Sequence, residues 1–298
     1  MVRTAFWSMP VLAVAVLLAV GTPDVAGAAA IRIGSKNFTE QVILGELYAQ
    51  ALEAAGIKVD RKLNMGGTLI AHQALVSNEI DMYPEYTGTA LLNVVKAERS
   101  TDAEAVYQKV RQHYEQQFKV IWLNQAPMNN TYVLAVRPET AAQYTLKTLS
   151  DLAKVSKQLK IGTGPEWRDR KDGIPGLKET YGMEFAEHVQ FAAPDLRYEA
   201  LKGKQIEVVN AYATDGQIFA YKLVLLDDDK KLWPPYHVAP LIRAQALAEN
   251  PKAADILNRL NALLDNGTMS ALNFRAIANK EEPKDIARDF LKQKGFVK

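Results

Sequence analysis

Apolar positions between residues 39 and 55 fall on one helical face: Val42, Ile43, Leu47, Tyr48, Ala51, Leu52 and Ala55 recur at three- and four-residue spacing. Asn37 or Thr39 is expected to cap that helix, and Gly56 stands where a left-handed terminus favours a residue without Cβ. The run Ile31 to Ile33 predicts a strand before it, and "IKVDRKLN" predicts the strand that follows. Thr68 is then expected to cap an amphipathic helix within "MGGTLIAHQALVSN"; "EIDMY" reads as a strand and "TGTALLNVV" as the opening of a third helix. Strands alternating with helices in this order predict an α/β lobe with a largely parallel sheet.

The pattern restarts at Asn129 to Arg137, "NNTYVLAVR", whose apolar alternation predicts a strand. "LKIGTG", "HVQFA" and "IEVVNAYAT" supply further strands, with the helix "APDLRYEALKGK" between the last two. "YKLVLLDDDKKLWPPYHVAPLIR" reads as two extended segments around a turn, and the chain from Ala244 onward as helical. The expected organisation is a first lobe beginning at residues 31–130, a second lobe at 131–236, and a return segment to the first at 237–298. A chain that leaves one α/β lobe and comes back places its ligand site in the cleft between lobes, at the carboxyl ends of the strands.

Composition narrows the class. With 48% hydrophobic and 23% charged residues over 298 positions, the chain has the make-up of a folded protein. A net charge of +2 without a basic stripe argues against nucleic acid as a partner. Residues 1–30 read as a cleaved signal peptide: Arg3, the apolar run Val11 to Val20, then "VAGAAA" with an A-x-A site at Ala28 and Ala30. A membrane anchor is the competing reading, but the run is short for a span of about 20 residues. The chain has no cysteine, hence no disulfide and no lipid-bearing residue after the leader. A soluble monomer in the periplasm is the expectation.

No G-x-S-x-G, H-E-x-x-H, Walker-type or G-x-G-x-x-G motif follows the predicted elements, and the four histidines lie far apart. No catalytic residue, cofactor or metal is therefore expected. Asp81 and Glu85 offer a carboxylate pair for acid–base work; the plainer reading has one on backbone amides and the other in solvent. "DMYPEYTGT" raises a sharper question, because Tyr83 and Tyr86 flank a proline and a glutamate. Tyr86, Tyr132, Tyr212 and Tyr236 each fall at a strand end or a lobe-crossing segment, where a ring can face the cleft. Tyr83 is assigned to the core.

Six segments occur in an order seen in one family: "GSKNFTEQ", "DMYPEYTGT", "NNTYVL", "GPEWRDR", "VVNAYATDGQI" and "PPYHVAPLIR". The chain thereby resembles the glycine betaine/choline-type osmoprotectant-binding proteins of ABC importers. The resemblance implies a two-lobed type II periplasmic-binding fold and delivery of ligand to a membrane permease driven by a cytoplasmic ATPase. It implies Tyr86, Tyr132, Tyr212 and Tyr236 as an aromatic cage, and Lys36, Thr89 and Arg170 as the residues that hold a ligand carboxylate. Glu166 is placed to orient Arg170, one helical turn on. Asn130 stands where some relatives carry an aspartate, and Trp167 and Trp233 are further candidates for the cleft. The plain alternatives are a solvated loop for Lys36, a helix cap for Thr89 and a surface position for one of Arg168 and Arg170. A trimethylammonium has no N–H to donate, so ring faces suit it where hydrogen bonds do not. Two other functions compete: a receptor for an amino acid or other small zwitterion, and a periplasmic enzyme using Asp81 and Glu85.

Overall fold

The computed structural model describes residues 1–2, 29–169, 171–192 and 194–297. The leader therefore lies almost wholly outside the described residues. The first strands are β1 (Ile31–Lys36), β2 (Val59–Gly66), β3 (Met82–Tyr86) and β4 (Val120–Trp122). They are followed by β5 (Tyr132–Val136), β6 (Lys160–Thr163), β7 (Glu187–Gln190), β8 (Val208–Tyr212), β9 (Val224–Leu226) and β10 (Val238–Arg243). Among the described residues they form two five-stranded sheets, ordered β2-β1-β3-β10-β4 and β7-β6-β8-β5-β9.

The helix Thr39–Ala54 shows how pattern becomes packing. It is buried along most of its length, against the first sheet and the carboxyl-terminal helices. Its start carries no side-chain cap: Phe38 holds the capping position, and neither Asn37 nor Thr39 supplies the bond expected of it. Its end does follow expectation, with Gly56 at φ +83°. The helix Thr68–Val76 likewise begins at Gly67, in extended backbone, so Thr68 is its first residue and not its cap. "TGTALLNVV" forms a short helix, Thr87–Ala90, that widens over Leu91–Val95 and ends at left-handed Lys96.

In the first sheet β1 runs parallel to β2 and β3, but β10 lies antiparallel between β3 and β4. The parallel expectation thus holds for only part of it. The two extended segments around "DDDKK" are not a hairpin, because β9 pairs in the second sheet and β10 in the first. The chain passes between the sheets twice, and the crossing segments run side by side. Asn129 bridges His237, Asn130 N donates to Tyr236 O at 3.2 Å, and the Thr131 hydroxyl donates to Pro234 O at 3.1 Å.

Candidate functional site

Strand β3 lies in mid-sheet, so all five of its residues are buried, and alternation decides where each side chain goes. Tyr83 packs with Tyr114 and Trp122 on one side; Met82 and Tyr86 pack on the other, against the helix Thr39–Ala54. Tyr86 then reaches a cavity of about 560 Å³ between the two sheets. Tyr83 is core and Tyr86 faces the cleft.

The opposite wall comes from antiparallel pairing. Tyr132 on β5 is directly across from Tyr212 on β8, which puts both side chains on one sheet face. Their ring centroids are 4.9 Å apart, and Tyr236, from the second crossing segment, stands edge-on to Tyr132 at 6.2 Å. All three line the cavity with Tyr86, Lys36, Thr89 and Asn130. Phe38, stacked on Tyr86 with centroids 6.4 Å apart, adds a ring that the sequence reading did not select.

Gly88 makes room for this arrangement. A Cβ there would stand 2.6 Å from Pro235 O and 2.9 Å from two carbons of the Tyr236 ring. Gly88→Ala is therefore expected to push Tyr236 out of place and weaken ligand binding about tenfold, with the far-ultraviolet circular dichroism unchanged. Titration calorimetry checks this; binding as tight as wild type would mean that Tyr236 is not a wall of the site.

Residues 29–293 match the family described as the substrate binding domain of ABC-type glycine betaine transport systems. The chain belongs to this family. It is 36% identical over 292 residues to a glycine-betaine-binding protein of Pseudomonas aeruginosa, covering 95% of this chain and 92% of that one. It is 34% identical over 269 residues to the carnitine transport binding protein OpuCC of Listeria monocytogenes, covering 89% and 87%. Among solved structures, a glycine betaine/carnitine/choline ABC transporter protein superposes with a TM-score of 0.86 at 30% identity, covering 89% of this chain and 99% of that one. As a member of the glycine betaine transport family, the chain is a substrate-binding component of an ABC importer and not an enzyme.

The carboxylates weighed for acid–base work are structural in this family member. Both are buried, so neither faces solvent as the plainer reading had it. Asp81 accepts hydrogen bonds from the Arg32 backbone and guanidinium and pairs with Arg243. Burial pushes its carboxyl up, but those arginine contacts outweigh it and bring the pKa below the ordinary value. Glu85 is fully buried, forms an ion pair with Lys36 and accepts from the Tyr83 hydroxyl at 3.0 Å and the Tyr86 amide at 2.6 Å. Neither acid is among the described residues that line the cleft.

Lys36 is no solvated loop lysine. It ends β1, is 3% exposed, and its ammonium sits 5.1 Å from the Tyr86 ring centroid. Burial depresses its pKa, opposed by the charge of Glu85. It enters the cavity wall as one half of an ion pair, its charge already matched. Thr89 lies inside the short helix Thr87–Ala90 instead of capping it. Arg170 and the side chain of Glu166 lie outside the described residues. The helical turn Pro165–Arg168 ends before Arg170, so no continuous helix spans Glu166 and Arg170, and Arg168 is exposed.

Trp167 and Trp233 do not reach the cleft. Both are buried in the second sheet's core, where Trp167 backs the Tyr132 ring edge-on at 5.2 Å and Trp233 donates to Asp172 O at 2.8 Å. Residues that the sequence reading passed over stand in the cavity wall instead: Glu40, Arg197, Asp215, Gln217 and Asn273. Arg197 is buried on the helix Pro194–Lys202, with Nε on Asn210 O at 2.9 Å. Its signal was available, since an arginine just after a strand, in the first turns of the next helix, sits at the carboxyl edge of a sheet. Asn273 gave none; it arrives from the far end of the chain.

The two halves meet closely at one more place. A Cβ on Gly216, which follows β8, would stand 2.7 Å from Phe274 N on the helix Asn266–Ala278. Ser270 donates to Asp215 O at 3.0 Å along the same contact. Burial first, then neighbouring Glu40 for Tyr86 and Tyr132 for Tyr212, raise the pKa values of these two phenols well above that of free tyrosine.

Proposed function

We propose that this chain captures a trimethylammonium solute of the glycine betaine, choline or carnitine type and delivers it to a membrane permease. The observation that carries this reading is the convergence of Tyr132, Tyr212 and Tyr236, from three separate segments, opposite Tyr86 around one cavity. Ring faces attract a cation at roughly 0.5–2 kcal/mol each, so four contribute roughly 2–8 kcal/mol. Micromolar binding requires about 8 kcal/mol. Ligands with free N–H groups would leave this aromatic surface poorly used. Thr89, Lys36 and Arg170 are the groups proposed to hold a ligand carboxylate, Lys36 through ammonium N–H donors beyond the one given to Glu85.

In this reading residues 31–130 with 237–298 form one lobe and residues 131–236 the other. Ligand contacts to both lobes favour the closed form, because only closure lets one molecule touch both walls. The protein works as a monomer in the periplasm, reached by way of a leader over residues 1–30 that is removed. The ATP-hydrolysing subunit is a separate chain.

Thermal unfolding of the mature protein against glycine betaine, choline, carnitine, proline betaine, glycine and proline tests the reading. A ligand at a hundred times its Kd stabilises by about 2.7 kcal/mol. At roughly 2–4 °C per kcal/mol for chains of about this size, the melting temperature should rise by roughly 5–10 °C. The expected result is a rise with methylated ammonium compounds alone. Equal stabilisation by glycine or proline would instead identify a general zwitterion receptor.

A further inference from the structure

Glu40 lies in the first turn of the helix Thr39–Ala54, is 4% exposed, and lines the cavity. Its Oε1 accepts from the Tyr86 hydroxyl at 2.6 Å and from Asn130 Nδ2 at 2.9 Å. Its Oε2 accepts from Asn273 Nδ2 at 2.7 Å and from the Thr214 hydroxyl. Four donors on two oxygens fill the lone-pair positions of an ionised carboxylate. All four are neutral, and among the described residues Asp215, which acts on it electrostatically, has the same sign. Burial raises the pKa of Glu40 above the ordinary carboxylate value, and the hydrogen bonds from Thr214, Tyr86 and Asn273 offset only part of that rise; it is the four donors that favour the ionised form. The other buried charges at the cavity are differently placed: Lys36 is matched by Glu85, and Arg197 approaches Asp215 at 4.0 Å.

A buried anion held by neutral groups beside a ligand cavity is stabilised by whatever cation enters. Two of its partners pass that effect to the ligand. A phenol that donates to a carboxylate has a more electron-rich ring, and the ring face is what a quaternary ammonium meets. Asn130 carries no charge, and its amide is given to Glu40. The negative charge at that corner thus comes from the helix Thr39–Ala54. Thr214 follows β8 in the second sheet, so this carboxylate has all of its partners only where the two halves meet.

We infer that Glu40 is a specificity-determining residue: its carboxylate, acting through Tyr86 and Asn130, makes the cavity prefer a charged trimethylammonium to a neutral group of the same shape. This rests on the receptor function proposed above, and deepens it.

The test compares choline with 3,3-dimethylbutan-1-ol, in which carbon replaces the nitrogen and the charge is gone. Kd values for both are measured by calorimetry on the full mature chain, for wild type, Glu40→Gln and Tyr86→Phe. In Glu40→Gln, choline is expected to weaken by about tenfold or more and the neutral isostere by less than about threefold. Tyr86→Phe keeps the ring and the acid but cuts the link between them; there the choline-to-isostere preference is expected to fall by about threefold. It serves on its own if Glu40→Gln does not fold. Equal losses for both ligands, or an unchanged preference in Tyr86→Phe, would reduce Glu40 to a structural hydrogen-bond acceptor and overturn the inference alone. A wild-type protein that binds no quaternary ammonium overturns the receptor function and the inference together.

Discussion

Glu85→Gln is expected to destabilise the protein by about 3–5 kcal/mol, the usual cost of removing one partner from a buried ion pair. Lys36 and Glu85 are 3% and 0% exposed, and they form their pair at the centre of the first sheet. The amide cannot balance the ammonium, and Lys36 is left as a cation in a site where burial already disfavours its charged form. The double variant Lys36→Met with Glu85→Gln should recover a large part of the loss, because the unpaired charge goes with the lysine. Urea unfolding midpoints for the two variants against wild type check both statements. A single-variant loss below about 1 kcal/mol would show that Lys36 finds water or another anion, and that the pair does not organise this wall. The pair also bears on the cavity, since Glu85 accepts from the Tyr86 amide and Lys36 lies over its ring.

Tyr132→Ala is expected to weaken quaternary-ammonium binding by about 2 kcal/mol, roughly thirtyfold. Tyr132 is the hub of the second wall: its ring contacts Tyr212, Tyr236, Trp167 and Trp233. Its removal takes away one face and the support of two others. Tyr132→Phe is expected to bind within a few-fold of wild type, because a cation is held by the ring and not by the hydroxyl. Calorimetric titration with glycine betaine separates the cases. If phenylalanine costs as much as alanine, the hydroxyl is the recognising group and the aromatic account of the site fails.

The periodicity of Val42 through Leu52 was enough to place the helix Thr39–Ala54 to within a residue at its start, whereas the strand read at "EIDMY" stopped short of Tyr86, and the alternation that separates Tyr83 from Tyr86 belongs to β3 as folded. Both are local regularities, set by 3.6 and 2.0 residues per repeat. The caps were misread for a related reason. Asn37, Thr39 and Thr68 have the chemistry of caps, but Phe38 and Gly67 hold the capping positions and tertiary packing overrides the local preference. The tryptophans, raised only as further candidates, pack behind the cleft wall, a placement the sequence leaves open because a large aromatic looks the same there whether it stands behind the wall or in front of it.

By itself the sequence determined the alternating strands and helices of two α/β halves, which follow from spacing and residue type that neighbours along the chain settle among themselves. The four cleft tyrosines were singled out only with the family resemblance, since spacing alone did not set them apart from the other tyrosines. Only the tertiary structure decided the electrostatics of the cavity. Lys36 meets Glu85 across 49 residues and Asn273 meets Glu40 across 233, contacts made by sheet order and helix docking. Whether a buried charge is matched or left for a ligand depends on the single group that packs against it, and no spacing along the chain carries that information.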